Sequence, residues 1–101
     1  MRILWSDTAK ADIREIYRYY RETAGIQVAR SIRIKLIKKP NLLSSQPELG
    51  QQEDNPVVAG KGFRYLVEGN YKLVYKVFAE RNEILIATVF DTRQNPSKLK
   101  T

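Results

Sequence analysis

The sequence contains neither cysteine nor histidine. Without cysteine there are no disulfides, no thiolate nucleophile and no sulfur-ligated metal, a composition that suits a reducing compartment. Without histidine, the one side chain that titrates near neutrality unaided is missing. Zinc sites built on imidazole or thiolate are excluded with them, and no cofactor is expected. Long apolar runs are lacking too: nowhere do 18 apolar residues follow one another, and residues 1–7 form no signal-like apolar stretch. The expectation is a soluble cytoplasmic protein with no membrane partner. Acidic residues are scarce, 11 against 18 lysines and arginines, and none lies between residues 27 and 47.

What is present describes one small domain. A chain of 101 residues has room for a single core, and 43% hydrophobic with 29% charged residues is an ordinary globular balance. The net charge of +7 and a pI near 9.8 favour an anionic partner, either nucleic acid or an acidic protein segment. Solubility alone is the plainer alternative for such a surplus.

Residues 1–5 (Met-Arg-Ile-Leu-Trp) read as an opening strand, with Trp5 in the core. Ser6 stands where a helix N-cap is needed, and Asp7 brings negative charge to the first turn. From residue 8 to about 22, Ala9, Ile13, Ile16, Tyr17 and Tyr20 recur at helical spacing, with Arg14, Arg18 and Arg21 opposite. Gly25 breaks this helix. A second starts near Ile26 and carries Ile26, Ala29, Ile32 and Leu36 at steps of three and four. Arg30, Arg33, Lys35, Lys38 and Lys39 flank that arc on both sides, as solvated heads whose stems lie over the core. Pro40 kinks or ends the helix, and Asn41-Leu42-Leu43 restarts a short turn. Residues 46–62, punctuated by Pro47, Gly50, Pro56, Gly60 and Gly62, make a long connection to which no regular structure is assigned. Irregular stretches of this length in a compact domain are functional or mobile.

The last third changes period. Residues 63–68, 71–78 and 84–90 are β-rich runs, joined by Gly69-Asn70 and by Glu80-Arg81-Asn82. Links this short require antiparallel neighbours. The expected fold is α+β, in the order β-α-α-β-β-β, with a helical hairpin packed on one face of a mostly antiparallel four-stranded sheet, all in one domain spanning residues 1–101.

This order of elements, with the stretches that carry it, resembles the RelE/ParE superfamily. Trp5-Ser6, Ala9, Asp12-Ile13, Ile16 and Tyr19-Tyr20 are similar to that family's first strand and helix. Pro47-Glu48-Leu49-Gly50 resembles the segment after its helical hairpin. The run Gly69-Asn70-Tyr71-Lys72-Leu73-Val74-Tyr75-Lys76-Val77 resembles its central hairpin, usually Gly-x-Tyr-Arg followed by β residues. Val89-Phe90-Asp91-Thr92-Arg93-Gln94-Asn95-Pro96 resembles the close of its last strand. The resemblance implies the toxin of a type II toxin–antitoxin system, of the plasmid-stabilisation kind, which arrests growth until a cognate antitoxin covers it with an acidic C-terminal segment.

Two activities are implied by that superfamily. ParE-like members inhibit DNA gyrase and cleave nothing; RelE-like members are metal-independent mRNA interferases that cut transcripts on the ribosome. Cleavage through the 2′-hydroxyl needs a base, cations for the phosphate charge and an acid for the leaving oxygen. The resemblance assigns such catalytic cation positions to Arg64, Lys72 and Arg93, with Lys61 and Tyr71 as substrate-binding residues. The pattern is incomplete: Leu66 stands where a second strand lysine is expected, Lys72 replaces a bidentate arginine, and no aromatic residue follows Phe90, where RelE-like members carry a tyrosine. Each residue also has a structural reading. Tyr65, Tyr71 and Tyr75 serve as packing, Lys61 as a solvated loop residue, and Arg93 as the partner of Asp91.

The hairpin register decides between the two readings of the cations. If Gly69-Asn70 are the central pair of a tight turn, Glu68 faces Tyr71, Arg64 shares a face with Tyr71 and Tyr75, and Lys72 points away. If Gly69 forms a bulged three-residue loop, Arg64 joins Lys72 in a cluster. Three functions therefore stand at the level of sequence. The incomplete set favours a gyrase inhibitor; the alternatives are a ribosome-dependent endoribonuclease and an inactive toxin fold that only binds its antitoxin.

Overall fold

The computed structural model describes residues 1–93. Within them the elements run β1 (Arg2–Trp5), α1 (Asp7–Thr23), α2 (Ile26–Lys38), β2 (Gln51–Gln52), β3 (Phe63–Glu68), β4 (Tyr71–Phe78) and β5 (Glu83–Asp91). The 3-10 segments Lys39–Ser44 and Ala79–Arg81 lie after α2 and before β5. Gln94-Asn95-Pro96, the end of the last-strand pattern, lie outside the described residues. No helix among the described residues is long and apolar enough to cross a membrane.

Helix α1 starts where the sequence places it. The Ser6 hydroxyl accepts from the Ala9 amide at 3.0 Å and donates to the Ala87 carbonyl at 2.7 Å, so the cap also fastens the helix to β5. Gly25, at φ 100°, separates α1 from α2. Pro40 falls in the first turn of the 3-10 segment, where its missing N–H costs no helical hydrogen bond.

The sheet order is β1-β5-β4-β3-β2; β1 runs parallel to β5 and every other pair is antiparallel. It has five strands where four are expected from sequence. The added one is Gln51–Gln52, inside the long connection, paired with Tyr65 and Arg64 at the outer edge. Two glutamines carry no strand signal. The chain is drawn there by Gly50, whose amide donates to the Tyr75 hydroxyl at 2.9 Å, and by the Arg64 guanidinium, which donates to the Gly50 carbonyl at 2.9 Å.

Between β4 and β5 the pairing slips: Val74 faces Thr88 while Tyr75 faces Ile86, leaving Ala87 as an extra residue on β5. Helix α1 covers this bulge. The Asp12 carboxylate accepts from the Thr88 hydroxyl at 2.7 Å and from the Val89 amide at 2.9 Å. The main core lies between the helical hairpin and the sheet, around Ala9, Ile13, Leu36, Leu43, Leu66, Leu73, Tyr75, Ile84 and Ile86, with Trp5 partly buried against it. A second, smaller core lies on the opposite sheet face, where Val58 of the long connection covers Val74 and Phe90, flanked by Phe63 and Tyr65.

Candidate functional site

The hairpin adopts the tight register. Glu68 faces Tyr71, Val67 faces Lys72 and Arg64 faces Tyr75, with Gly69 taking the positive φ of 59° that the first loop position requires. Arg64 and Lys72 therefore lie on opposite faces of the sheet, and the cationic cluster of the bulged register is not formed.

Arg64 and Lys72 are each held by the protein's own acceptors. Beyond its bond to Gly50, the Arg64 guanidinium points at the Glu48 carbonyl at 3.4 Å, clasping the loop to the sheet. The Lys72 ammonium is 3.1 Å from the Glu53 carboxylate and 4.0 Å from the centre of the Tyr65 ring. Glu53 is the one buried charged residue among the described residues, with 2% of its side chain exposed against 23% for Lys72. The hollow beside this pair, about 300 Å³, is lined by Glu53, Asp54, Asn55, Pro56, Lys72, Phe90 and Thr92. Two carboxylates against one ammonium make it a poor seat for phosphate.

Arg93 pairs with Asp91 through one edge of its guanidinium, Nε to Oδ1 at 3.0 Å and Nη2 to Oδ2 at 2.6 Å, and its own amide donates to Oδ1 at 2.8 Å. These bonds from Arg93 hold the Asp91 carboxyl below the ordinary carboxylate range, against a smaller opposing effect of burial. A depressed acid stabilises the fold above its unfolded pKa, and that contribution fades as pH falls through the lower folded value. A carboxyl-carbon NMR titration is thus expected to give Asp91 a midpoint below about 3.9, returning toward that value in Arg93→Ala. A midpoint unchanged by the substitution would show that the guanidinium is not its cause.

Arg93 and Tyr71 meet in a groove of about 350 Å³ between α1 and the end of β5, shared with Asp12, Glu15, Tyr19, Tyr20 and Asp91. Burial, followed by the hydrogen bond to the Tyr20 hydroxyl at 3.3 Å, pushes the Tyr71 phenol well above its usual value. Burial likewise raises Tyr75. Both phenols keep their protons at neutral pH, so neither supplies a base. Lys61 is exposed in the connection, away from this groove's lining.

Of the five residues singled out, the structure brings together only Tyr71 and Arg93. Four others hold the region in shape: Asp12 at the bulge, Gly50 under Tyr75, Glu53 against Lys72 and Tyr20 against Tyr71. Asp12, Tyr20 and Gly50 belong to the stretches that carry the family resemblance, whereas Glu53 has no signal of its own. Among the described residues no cluster of acidic side chains is arranged to hold a metal ion.

In structure, the chain is similar to the chromosomal ParDE toxin–antitoxin system from P. aeruginosa, with a TM-score of 0.75 and 21% identity over 90% of this chain and 95% of that one. It is also similar to the RelBE2 toxin–antitoxin complex from Mycobacterium tuberculosis, at TM-score 0.66 and 17% identity over 89% and 88% of the two chains. The isolated E. coli RelE toxin aligns at TM-score 0.55 and 16% identity, over 96% and 89%. At these identities the likeness is one of fold. No curated protein matches the sequence at a comparable level. The family model for the ParE toxin of the type II toxin–antitoxin system parDE matches residues 3–96. The chain therefore belongs to the ParE toxin family of type II toxin–antitoxin systems.

Proposed function

We propose that this toxin inhibits DNA gyrase, in the ParE-like manner, and does not cut RNA. One observation carries the reading: Arg64, Lys72 and Arg93 do not converge, and each is spent on an internal acceptor. Transition-state stabilisation requires unpaired donors aimed at one developing charge. Freeing Lys72 for a phosphate would leave the buried Glu53 carboxylate without its cation, at a cost of several kcal/mol. An inhibitor that acts by occupying its target needs only a surface of fitting shape and charge. On this reading Arg64, Lys72 and Arg93 are structural residues, and Lys61 and Tyr71 bind no nucleotide.

A cognate antitoxin is the second half of the proposal. The solved relatives include ParDE and RelBE toxin–antitoxin assemblies, and a domain of net charge +7 suits an acidic segment that folds on binding.

The purified chain is expected to block gyrase supercoiling of relaxed plasmid while leaving ribosome-bound transcripts intact. Lys72→Ala and Arg93→Ala, assayed at a temperature where both remain folded, are expected to keep the inhibition within about threefold, since surface or structural cations contribute little to a binding face elsewhere. Ribosome-dependent cuts abolished by either substitution would overturn the proposal. So would a chain that leaves both supercoiling and growth untouched.

A further inference from the structure

Two sides of helix α1 carry opposite charge. Lys10, Arg14, Tyr17 and Arg21 follow one another at steps of four, three and four, which sets them along one side of the helix. Asp12, Glu15 and Tyr19 line the groove beside Tyr71 on another side, and Arg18, between the two, is spent on Glu15 at 3.3 Å. Arg33 of α2 completes the basic side. Its guanidinium lies 4.3 Å from the centre of the Tyr17 ring, and that of Arg21 lies 5.8 Å from it. One ring thus gathers two like charges from two helices. Among the described residues, Lys10, Arg14, Arg21 and Arg33 have no carboxylate within ion-pair distance. Asp7 and Glu22 stand near the two ends of the stripe and form no ion pair with it.

This arrangement works against the free protein. Like charges one turn apart destabilise a helix, and Lys10 with Arg14 is such a pair. Lys10 also stands in the first turn, where a cation opposes the helix dipole. A surface that serves solubility alone intersperses the two signs. Helix α1 has acids enough to do so, yet Asp12 and Glu15 stand on the groove side. Snorkelling explains why Arg21 and Arg33 lie over Tyr17. It does not explain why no acid accompanies them.

We infer that Lys10, Arg14, Arg21 and Arg33 form a surface that holds the phosphate backbone of duplex DNA without reading its sequence. From Lys10 to Arg21 the stripe runs about 16 Å along the helix, long enough to follow several phosphates. Each guanidinium can make two parallel bonds to one phosphate, and phosphates ask for no apolar contact. A bound protein segment would need apolar anchors. The large apolar side chain that α1 does expose, Tyr19, lines the acidic groove instead. A single strand needs open rings on which its bases can stack, whereas guanidinium groups already cover the Tyr17 ring. A second copy of the chain would set cations against cations. The surface follows from the charges alone; only the choice of DNA over RNA rests on the proposed action on gyrase.

The test is fluorescence anisotropy of the whole chain with a labelled DNA duplex of roughly 20 base pairs and arbitrary sequence, with no gyrase present. Binding is expected to be saturable and to weaken with salt, at a log–log slope of about −3.6 for four phosphates. The double variant Arg14→Gln, Arg21→Gln should bring that slope to about −1.8 and lose at least about tenfold in affinity near 0.1 M salt. Arg2→Gln with Arg81→Gln removes the same charge from exposed positions beside the sheet and should leave the slope unchanged. Arg14 and Arg21 are themselves exposed. Relieving their repulsion should hold the melting temperature at or above that of the parent, so lost binding is not lost folding.

Absence of binding at about 0.05 M salt would overturn the surface. Equal losses in the two double variants would do the same, because net charge alone would then account for binding. Tighter binding of a poly-glutamate peptide, lost in the Arg14, Arg21 variant, would give the stripe to an acidic protein instead. Tighter binding of duplex RNA or of single-stranded DNA would overturn the assignment to duplex DNA. Supercoiling assays on the same samples separate this inference from the gyrase reading. DNA binding through Arg14 and Arg21 without gyrase inhibition sinks only the latter; gyrase inhibition without DNA binding sinks only this surface.

Discussion

Replacing Gly50 with alanine is expected to destabilise the fold by about 3–4 kcal/mol, from overpacking of about 1–3 kcal/mol together with disturbed hydrogen bonds worth about 1 kcal/mol each. A Cβ at this position would stand 2.6 Å from the Tyr65 carbonyl oxygen, 2.6 Å from the Tyr75 hydroxyl and 2.7 Å from a Tyr75 ring carbon. None of these neighbours is a flexible tip. The Tyr65 carbonyl belongs to β3, and Tyr75 is fully buried, its hydroxyl bridging the Gly50 amide and the Pro47 carbonyl at 2.9 Å each. The effect is steric, since Gly50 is not among the glycines with positive φ. Thermal unfolding should show a fall of more than about 10 °C at this chain length. A double-mutant cycle with Tyr75→Phe supplies the decisive control. Removing the hydroxyl takes away one of the three clashes, so part of the Gly50→Ala loss should be recovered in the double variant. Strictly additive losses would mean that alanine disturbs something other than this contact.

That contact also explains why the long connection was opaque in the sequence. Helix α1 was legible because its apolar period, its Ser6 cap and its Gly25 stop all lie within the segment they define. Strands β4 and β5 were legible because their β-rich runs are bounded by short links. Residues 46–62 follow no local rule; they are held by partners distant in sequence. Gln51–Gln52 become a strand through Gly50, Arg64 and Tyr75, and Val58 is buried because Val74 and Phe90 lie beneath it. A sheet with a small core on its second face blurs the alternation expected of a half-buried strand. In β3, Phe63 and Tyr65 pack on that second face while Arg64 and Leu66 take the helix side.

The candidate cations can be picked out in the sequence, but their geometry cannot. Arg64, Lys72 and Arg93 were named from a pattern, and the turn at Gly69-Asn70 left two registers open. Packing decides between them. The tight register lets Tyr71, Leu73 and Tyr75 enter the main core with Leu66, and it places Lys72 where Glu53 can reach it. Nothing local to Lys72 announces a partner 19 residues earlier in an irregular segment. The Arg93–Asp91 pair, two residues apart, was within reach of the sequence.

Asp12 is the residue whose loss should next most disturb the fold. Asp12→Ala is expected to cost about 2–4 kcal/mol, because two hydrogen bonds to a charged acceptor vanish together and a half-buried amide loses its partner. The donors are the Thr88 hydroxyl and the Val89 amide, immediately after the extra residue Ala87. A bulge interrupts the ladder, and its unpaired groups need an outside acceptor; Asp12, one and a half turns into α1, provides it. Ser6 secures the other side through the Ala87 carbonyl, so helix and bulge brace each other. Asp12→Asn retains a carbonyl oxygen and should lose only about 1 kcal/mol, the difference between a charged and a neutral acceptor. Thr88→Val removes one donor and should fall between the parent and Asp12→Ala. Hydrogen exchange localises the effect: the Val89 amide should lose protection in Asp12→Ala beyond the global change, whereas amides of the β3–β4 hairpin should follow global stability alone. Uniform loss across the sheet would mean that Asp12 acts through general packing of α1 and not through the bulge.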